Sequence, residues 1–183
     1  MARVLVPLAQ GCEELEAVTI IDLLVRAKVD VVTASLDANR LICCSRGVVI
    51  QAQIELEQAI TQNYDLVVLP GGLPGADFLA EDSRVLSLLR RTVEQGHLVA
   101  AICAAPKVLK KAGLLDGLDA TSYPGVLDQS PAKDMRYSNQ AVVDAGSVVT
   151  SRGPGTAMDF ALHLIERLKG VAVRQQVESA LVR

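Results

Sequence analysis

The chain has 183 residues, enough for one domain, residues 1–183, with a full core that needs no disulfide or metal staple. Half of it is hydrophobic, yet no uncharged apolar run approaches the ~18 residues of a membrane helix, which excludes a membrane-spanning protein and predicts a soluble one. A net charge of -3, with both signs interspersed, leaves no basic stripe for nucleic acid, and three Tyr, two Phe and no Trp offer few stacking platforms.

In chain order, Val4 to Leu8 is a short buried strand entered directly from Met1-Ala-Arg, without a charged leader or cleavage site, so a cytoplasmic location is expected. Glu13 to Ala27 is a helix with acids at its positive end. The β-branched run in Asp30 to Ser35 makes a second strand. Leu41 to Gln53 holds one or two short strands broken by Ser45-Arg46-Gly47. Asp65 to Leu69 is a strand ending in Pro70-Gly71-Gly72, and Asp82 to Gln95 is an amphipathic helix stopped by Gly96. Leu98 to Ile102 is the next strand, and the helix after it begins at Ala104 and closes at Gly113. Ala141 to Ala145 and Ser147 to Ser151 are strands. Pro154 to Leu168 is a helix with Pro in its first turn, and Val171 to Leu181 is a last short helix. Strands apolar on both faces, alternating with helices, predict an α/β fold with a mostly parallel central sheet covered on both sides. There is no internal repeat or linker.

Ligands of such sheets bind outside the carboxyl ends of the strands. That rule gathers Gln10-Gly-Cys-Glu-Glu, Pro70-Gly-Gly, Cys103-Ala-Ala-Pro and Ser151-Arg-Gly-Pro-Gly at one edge. Cys103, between a buried strand and a helix start, is placed for reaction, because the free amides of a first helical turn favour thiolate over thiol. By itself it reads more readily as a buried core thiol, and the neighbouring loops shift the weight. Glu16 heads the stripe Ile20, Leu23 and Ala27 on one helix face, so its carboxyl is expected to be desolvated, raised in pKa and able to donate to a sulfur anion. Glu13 and Glu14 fit ordinary first-turn acids better. Gly71 and Gly72 let backbone amides approach a ligand and hold an oxyanion, although a tight turn explains them too. No G-x-G-x-x-G or P-loop occurs, and no cofactor is expected.

A Cys-His pair is disfavoured. His97 starts the strand that ends at Cys103, about 20 Å away, and His163 lies deep in a later helix. The four cysteines, Cys12, Cys43, Cys44 and Cys103, form no C-x-x-C, and with two histidines no metal site is expected. Arg26, Arg46 and Arg152 are candidate anion clamps, although Asp22 stands at ion-pair spacing from Arg26.

Gly11-Cys-Glu-Glu-Leu-Glu-Ala-Val-Thr, Cys44-Ser-Arg-Gly-Val-Val-Ile, Val67-Val-Leu-Pro-Gly-Gly, Ala100-Ala-Ile-Cys-Ala-Ala-Pro and Thr150-Ser-Arg-Gly-Pro-Gly-Thr-Ala together resemble the ThiJ/PfpI superfamily, in the branch of Parkinson disease protein seven and YajL. The resemblance runs from the first strand to Leu181 and implies a flavodoxin-like sandwich and a homodimer. It makes Cys103 the oxidisable nucleophile and Glu16 the protonated carboxyl beside it. Gly71, Gly72 and Ala104 become the backbone side of the site, Arg26 and Arg46 basic residues near it, some supplied across the dimer, and Cys44 a cysteine near the dimer interface. Tyr123 stands where many members have a histidine, and a phenol is a poor base at neutral pH. Ala105 replaces a glycine and is expected to tighten the pocket. Cys12 has no counterpart and reads as a small loop residue or a resolving thiol. The implied activity is glutathione-independent glyoxalase or deglycase chemistry on 2-oxoaldehydes such as methylglyoxal and glyoxal, or their adducts. The alternative is a redox-sensing, chaperone-like stress protein in which Cys103 becomes sulfinate.

Overall fold

Alternate residues of the central strands enter two separate cores, which fixes a sheet covered on both faces. In the computed structural model, which describes residues 1–183, Val4, Val6 and Leu8 of strand β1 (Arg3–Leu8) join one core while Leu5 joins the other. In β6 (Leu66–Leu69) and β7 (Leu98–Ile102), Val68 and Ile102 face the first core, and Val67 and Ala101 the second. Each fully buried Leu, Ile or Val contributes about 1.5–3 kcal/mol, so slipping a strand by one residue would exchange the two cores.

The remaining strands are β2 (Asp30–Ser35), β3 (Leu41–Cys43), β4 (Val49–Gln51), β5 (Ile54–Glu55), β8 (Asp119–Ala120), β9 (Arg136–Tyr137), β10 (Val142–Asp144) and β11 (Val148–Ser151). The helices are α1 (Glu14–Arg26), α2 (Leu56–Ala59), α3 (Gly75–Glu81), α4 (Ser83–Glu94), α5 (Pro106–Lys111), α6 (Ala157–Lys169) and α7 (Val171–Ala180). The main sheet runs β10-β11-β7-β6-β1-β2-β5, parallel throughout except for the β10-β11 pair. Helices α1 and α6 supply the first core, and α3, α4 and α5 the second. This is the predicted mostly parallel sandwich. No helix is long and apolar enough to cross a membrane.

Local differences from the sequence reading have physical causes. Helix α5 begins at Pro106, not Ala104, because residues 103–105 form a turn. Pro154 starts a 3-10 turn, Pro154–Thr156, and α6 follows from Ala157. The segment after Pro70-Gly71-Gly72 holds the short helix α3, which the Leu73-Pro74-Gly75 turn signal conceals. The 41–53 segment is a separate antiparallel hairpin of β3 and β4, turned at Ser45-Arg46-Gly47.

Candidate active site

Main-chain hydrogen bonds join five segments at the carboxyl edge of the sheet in two groups. The Glu13 N–H donates to Gly71 O at 2.9 Å, the Cys103 N–H to Ser151 O at 3.0 Å, and the Tyr123 N–H to Cys103 O at 2.9 Å. Cys103 is held on the turn between β7 and α5 with φ 63°. Such a left-handed backbone costs a residue with a Cβ roughly 1–3 kcal/mol, and the two bonds at its own N–H and carbonyl offset that cost. The strain aims the side chain into a cavity of about 330 Å³ lined by Glu13, Ser45, Arg46, Gly72, Tyr123 and Val126 among others.

Glu16 lies in the first turn of α1 and is fully buried. Its N–H donates to Glu13 Oε2 at 2.8 Å, so Glu13 caps the helix and also lines the cavity. The Gly71 N–H donates to Glu16 Oε2 at 2.8 Å, while Oε1 is buried without a hydrogen-bond partner. A Cβ on Gly71 would lie 2.7 Å from Cys103 Cβ and 2.8 Å from Glu16 Oε2. Only glycine lets the carboxyl and the thiol meet.

Burial raises the Glu16 carboxyl to about 7, against the pull of the Gly71 amide and the Cys103 thiol. Burial also pushes the Cys103 thiol up to about 12, and the charge of an ionised Glu16 adds to the effect, while the Gly72 and Ala104 amides act the other way. The acidic thiol expected from a helix N-terminus is therefore not what the structure holds. A six-residue helix set back behind a turn is a weak dipole, and desolvation outweighs it. A proton on Glu16 removes the like charge beside the sulfur and supplies a donor to it.

The structure brings Cys103, Glu16, Gly72, Ala104 and Arg46 together. Gly71 departs from the expected role, because its amide is occupied by Glu16 and holds the acid instead of an oxyanion. Within a single chain Arg26 lies away from the site. It ends α1, about 15 Å along the axis from Glu16, pairs with Asp22 at 2.6 Å, and lines a different cavity with Lys28 and Lys169. Arg152 donates to Asn139 O and stands outside the lining. Ala105 does not tighten the pocket, since it is buried in the second core beneath the turn. His97 borders a larger cavity of about 520 Å³ at the opposite end of the strands, which has no nucleophile, and His163 bonds Asp144 at 2.7 Å. No group of three or more His, Cys, Asp or Glu side chains converges as a metal-ligand set.

Glu14 plays a larger part than a first-turn acid. Its carboxylate accepts from the Ser45 hydroxyl at 3.0 Å and from the Arg46 amide at 2.8 Å, and so fastens the hairpin turn to the site. Burial opposes its ionisation, but these bonds, with those of its own amide and Val48, hold it below the usual carboxylate range. Three acids in one helical turn look alike in sequence, and what separates Glu14 is a loop thirty residues away.

A cysteine on a strained strand-to-helix turn, backed by a buried carboxyl at the carboxyl edge of a flavodoxin-like sheet, defines a class of cysteine-centred α/β proteins. The chain belongs to the DJ-1/PfpI family, whose sequence profile matches residues 2–167. It is 43% identical to Protein dj-1beta of Drosophila melanogaster over 178 residues, 97% of this chain and 95% of that one. The crystal structure of Drosophila DJ-1beta superposes with a TM-score of 0.93, covering 99% of this chain and 97% of that chain. Toxoplasma gondii DJ-1, solved in oxidised form, superposes at 0.95 with 40% identity, covering 100% and 98%. The glutathione-independent glyoxalase DJR-1.2 of Caenorhabditis elegans is 34% identical over 92% of this chain and 89% of its own length.

Proposed function

We propose that the protein is a glutathione-independent glyoxalase of the cytoplasm, acting on 2-oxoaldehydes such as methylglyoxal and glyoxal or, as a deglycase, on their adducts. The observation that carries this reading is the fully buried Glu16 carboxyl beside the Cys103 thiol, one oxygen held by Gly71 and the other without a partner. With the single negative charge of the pair on sulfur and the proton on Glu16, the Cys103 thiolate attacks the aldehyde carbon. A C–S bond forms as the carbonyl π bond opens, and the oxygen takes the proton of Glu16, giving a hemithioacetal and the Glu16 carboxylate. The Glu16 carboxylate then takes the hydrogen from that carbon and passes a proton to the neighbouring carbonyl oxygen, forming an enediol. The first hydroxyl gives up its proton as the neighbouring carbon gains one, giving a thioester. Water cleaves the thioester to a 2-hydroxy acid and frees the thiol. A carboxyl near pKa 7 both gives and takes protons at neutral pH, as these steps require. Arg46 and the Gly72 and Ala104 amides offset negative charge at the cavity. The DJR-1.2 relative supports the reaction class.

The purified protein is expected to consume methylglyoxal without glutathione, and Glu16→Gln should slow it by ~10²–10⁴-fold. Undiminished turnover by Cys103→Ala would overturn the reading. A second use of the same residues, oxidation of Cys103 to a sulfinate held by the acid form of Glu16, takes support from the oxidised T. gondii relative. Mild peroxide should then add oxygen to Cys103 before Cys12, Cys43 or Cys44, and the reverse order in peptide mass spectra would remove it. The reading includes a homodimer, supported by Leu15, Val18 and Val25 exposed on α1 and Leu41, Val48 and Val49 exposed around the adjoining hairpin.

A further inference from the structure

Behind the wall of the cavity lies a second pair of sulfur atoms that the proposed chemistry does not use. Cys12 Sγ and Cys44 Sγ are 3.6 Å apart, both thiols are free, and their residues are 0% and 5% exposed. Their backbones are already fastened side by side, because the Ser45 N–H donates to Cys12 O at 2.8 Å and the Gly11 N–H to Cys43 O at 2.8 Å. Hydrogen-bonded extended segments lie about 4.7–4.9 Å apart, inside the Cα range of about 4.4–6.8 Å that a disulfide spans. The sulfurs need to approach by only about 1.5 Å to bond.

We infer that Cys12 and Cys44 are a covalent modification site, a dithiol that a hydroperoxide converts to a reversible disulfide linking two sides of the Cys103 cavity. Cys44, the more exposed of the two, attacks the outer peroxide oxygen. The O–O bond breaks, an S–O bond forms, and the alcohol or water leaves with the thiol proton. Cys12 sulfur then displaces that oxygen as water, forming the S–S bond. The two thiols lose two electrons and the hydroperoxide gains them. Glu13 follows Cys12, Ser45 and Arg46 follow Cys44, and all three line the cavity. Drawing the sulfurs together therefore pulls Glu13 toward the hairpin turn and narrows the approach to Cys103. Burial raises both thiols above their usual range, which keeps the dithiol reduced until oxidant is sustained.

The test uses the full chain carrying Cys43→Ser, which removes the exposed neighbouring thiol. Under a graded dose of hydrogen peroxide, the Cys12 and Cys44 thiols should vanish together with a loss of two hydrogens between them, separately from any oxygen gained at Cys103. Peptide mapping should find the Cys12 and Cys44 peptides joined, and dithiothreitol should separate them. Iodoacetamide should label Cys103 more slowly in the linked protein than in Cys43→Ser/Cys12→Ala given the same dose. A folded protein that gains oxygen on Cys12 or Cys44, or never links them, overturns the inference, as does equal labelling of Cys103 in the two proteins. Neither readout involves aldehyde turnover, so this inference and the glyoxalase reading fail independently.

Discussion

The negative charge of the site is divided between Cys103 and Glu16, and the donors around each decide where it rests. With the carboxyl raised to about 7 and the thiol to about 12, the two groups together hold one charge over the interval between these values. In that interval carboxylate with thiol and carboxylic acid with thiolate differ only in the position of one proton, so their ratio does not change with pH. Thiolate reactivity should therefore rise through about pH 7 and then level, whereas an isolated thiol keeps rising to about 8.5. Glu16→Gln removes both the like charge and the acid, leaving burial to hold the thiol high. Iodoacetamide rates measured from pH 5 to 10 should show the inflection of Glu16→Gln displaced to above ~8.5, with slower labelling near neutrality. An inflection still near 7 in that variant would show that Glu16 is not the controlling acid. Cys103 and Glu16 were legible in the sequence because a strand terminus and a helix stripe are periodic features. Gly71 was legible as a glycine, but its task was not, since two adjacent amides differ only in which way the turn points them.

At the scale of elements, the legible parts are those whose burial has a period. Strands β1, β6 and β7, buried on both faces, and α4, which buries Val85, Leu88, Leu89 and Thr92, could be drawn to within a residue or two. Two-residue strands such as β8 and β9 are too short to show a period, and only their pairing partners define them. The hairpin of β3 and β4 is more instructive. Its turn was visible as Ser45-Arg46-Gly47, yet its place beside the site depends on Glu14, Cys12 and Gln10, which grip it through five bonds of 2.8–3.0 Å. Hydrogen bonds to an ionised carboxylate are stronger than those between neutral groups. Glu14 is thus the main fastening of the turn that brings Ser45 and Arg46 to the cavity wall.

For the whole molecule, the buried acid sets stability against function. Glu16 has a pKa of about 7 in the folded chain and 4.5 as a free group, so from pH 4.5 to about 7 the native state binds more protons than the unfolded one. Stability then falls as pH rises across this interval, by about 3 kcal/mol if the whole difference is realised. Asp82, held low by Arg84, and Asp144, held low by Arg167 and His163 against the cost of burial, act in the opposite sense. Their contributions are present above 3.8 and fade only at more acidic pH, so they do not mask the effect of Glu16. A buried amide in Glu16→Gln has its own unmet hydrogen bonds, but that cost does not depend on pH. The informative quantity is therefore the stability of Glu16→Gln minus that of the parent, measured by urea unfolding at a series of pH values. It should climb steadily in favour of the variant from pH 4.5 to about 7 and be flat beyond. A difference that stays constant through the interval would mean that Glu16 is ionised in the folded protein well below neutrality, and the carboxyl could not then serve Cys103 as an acid.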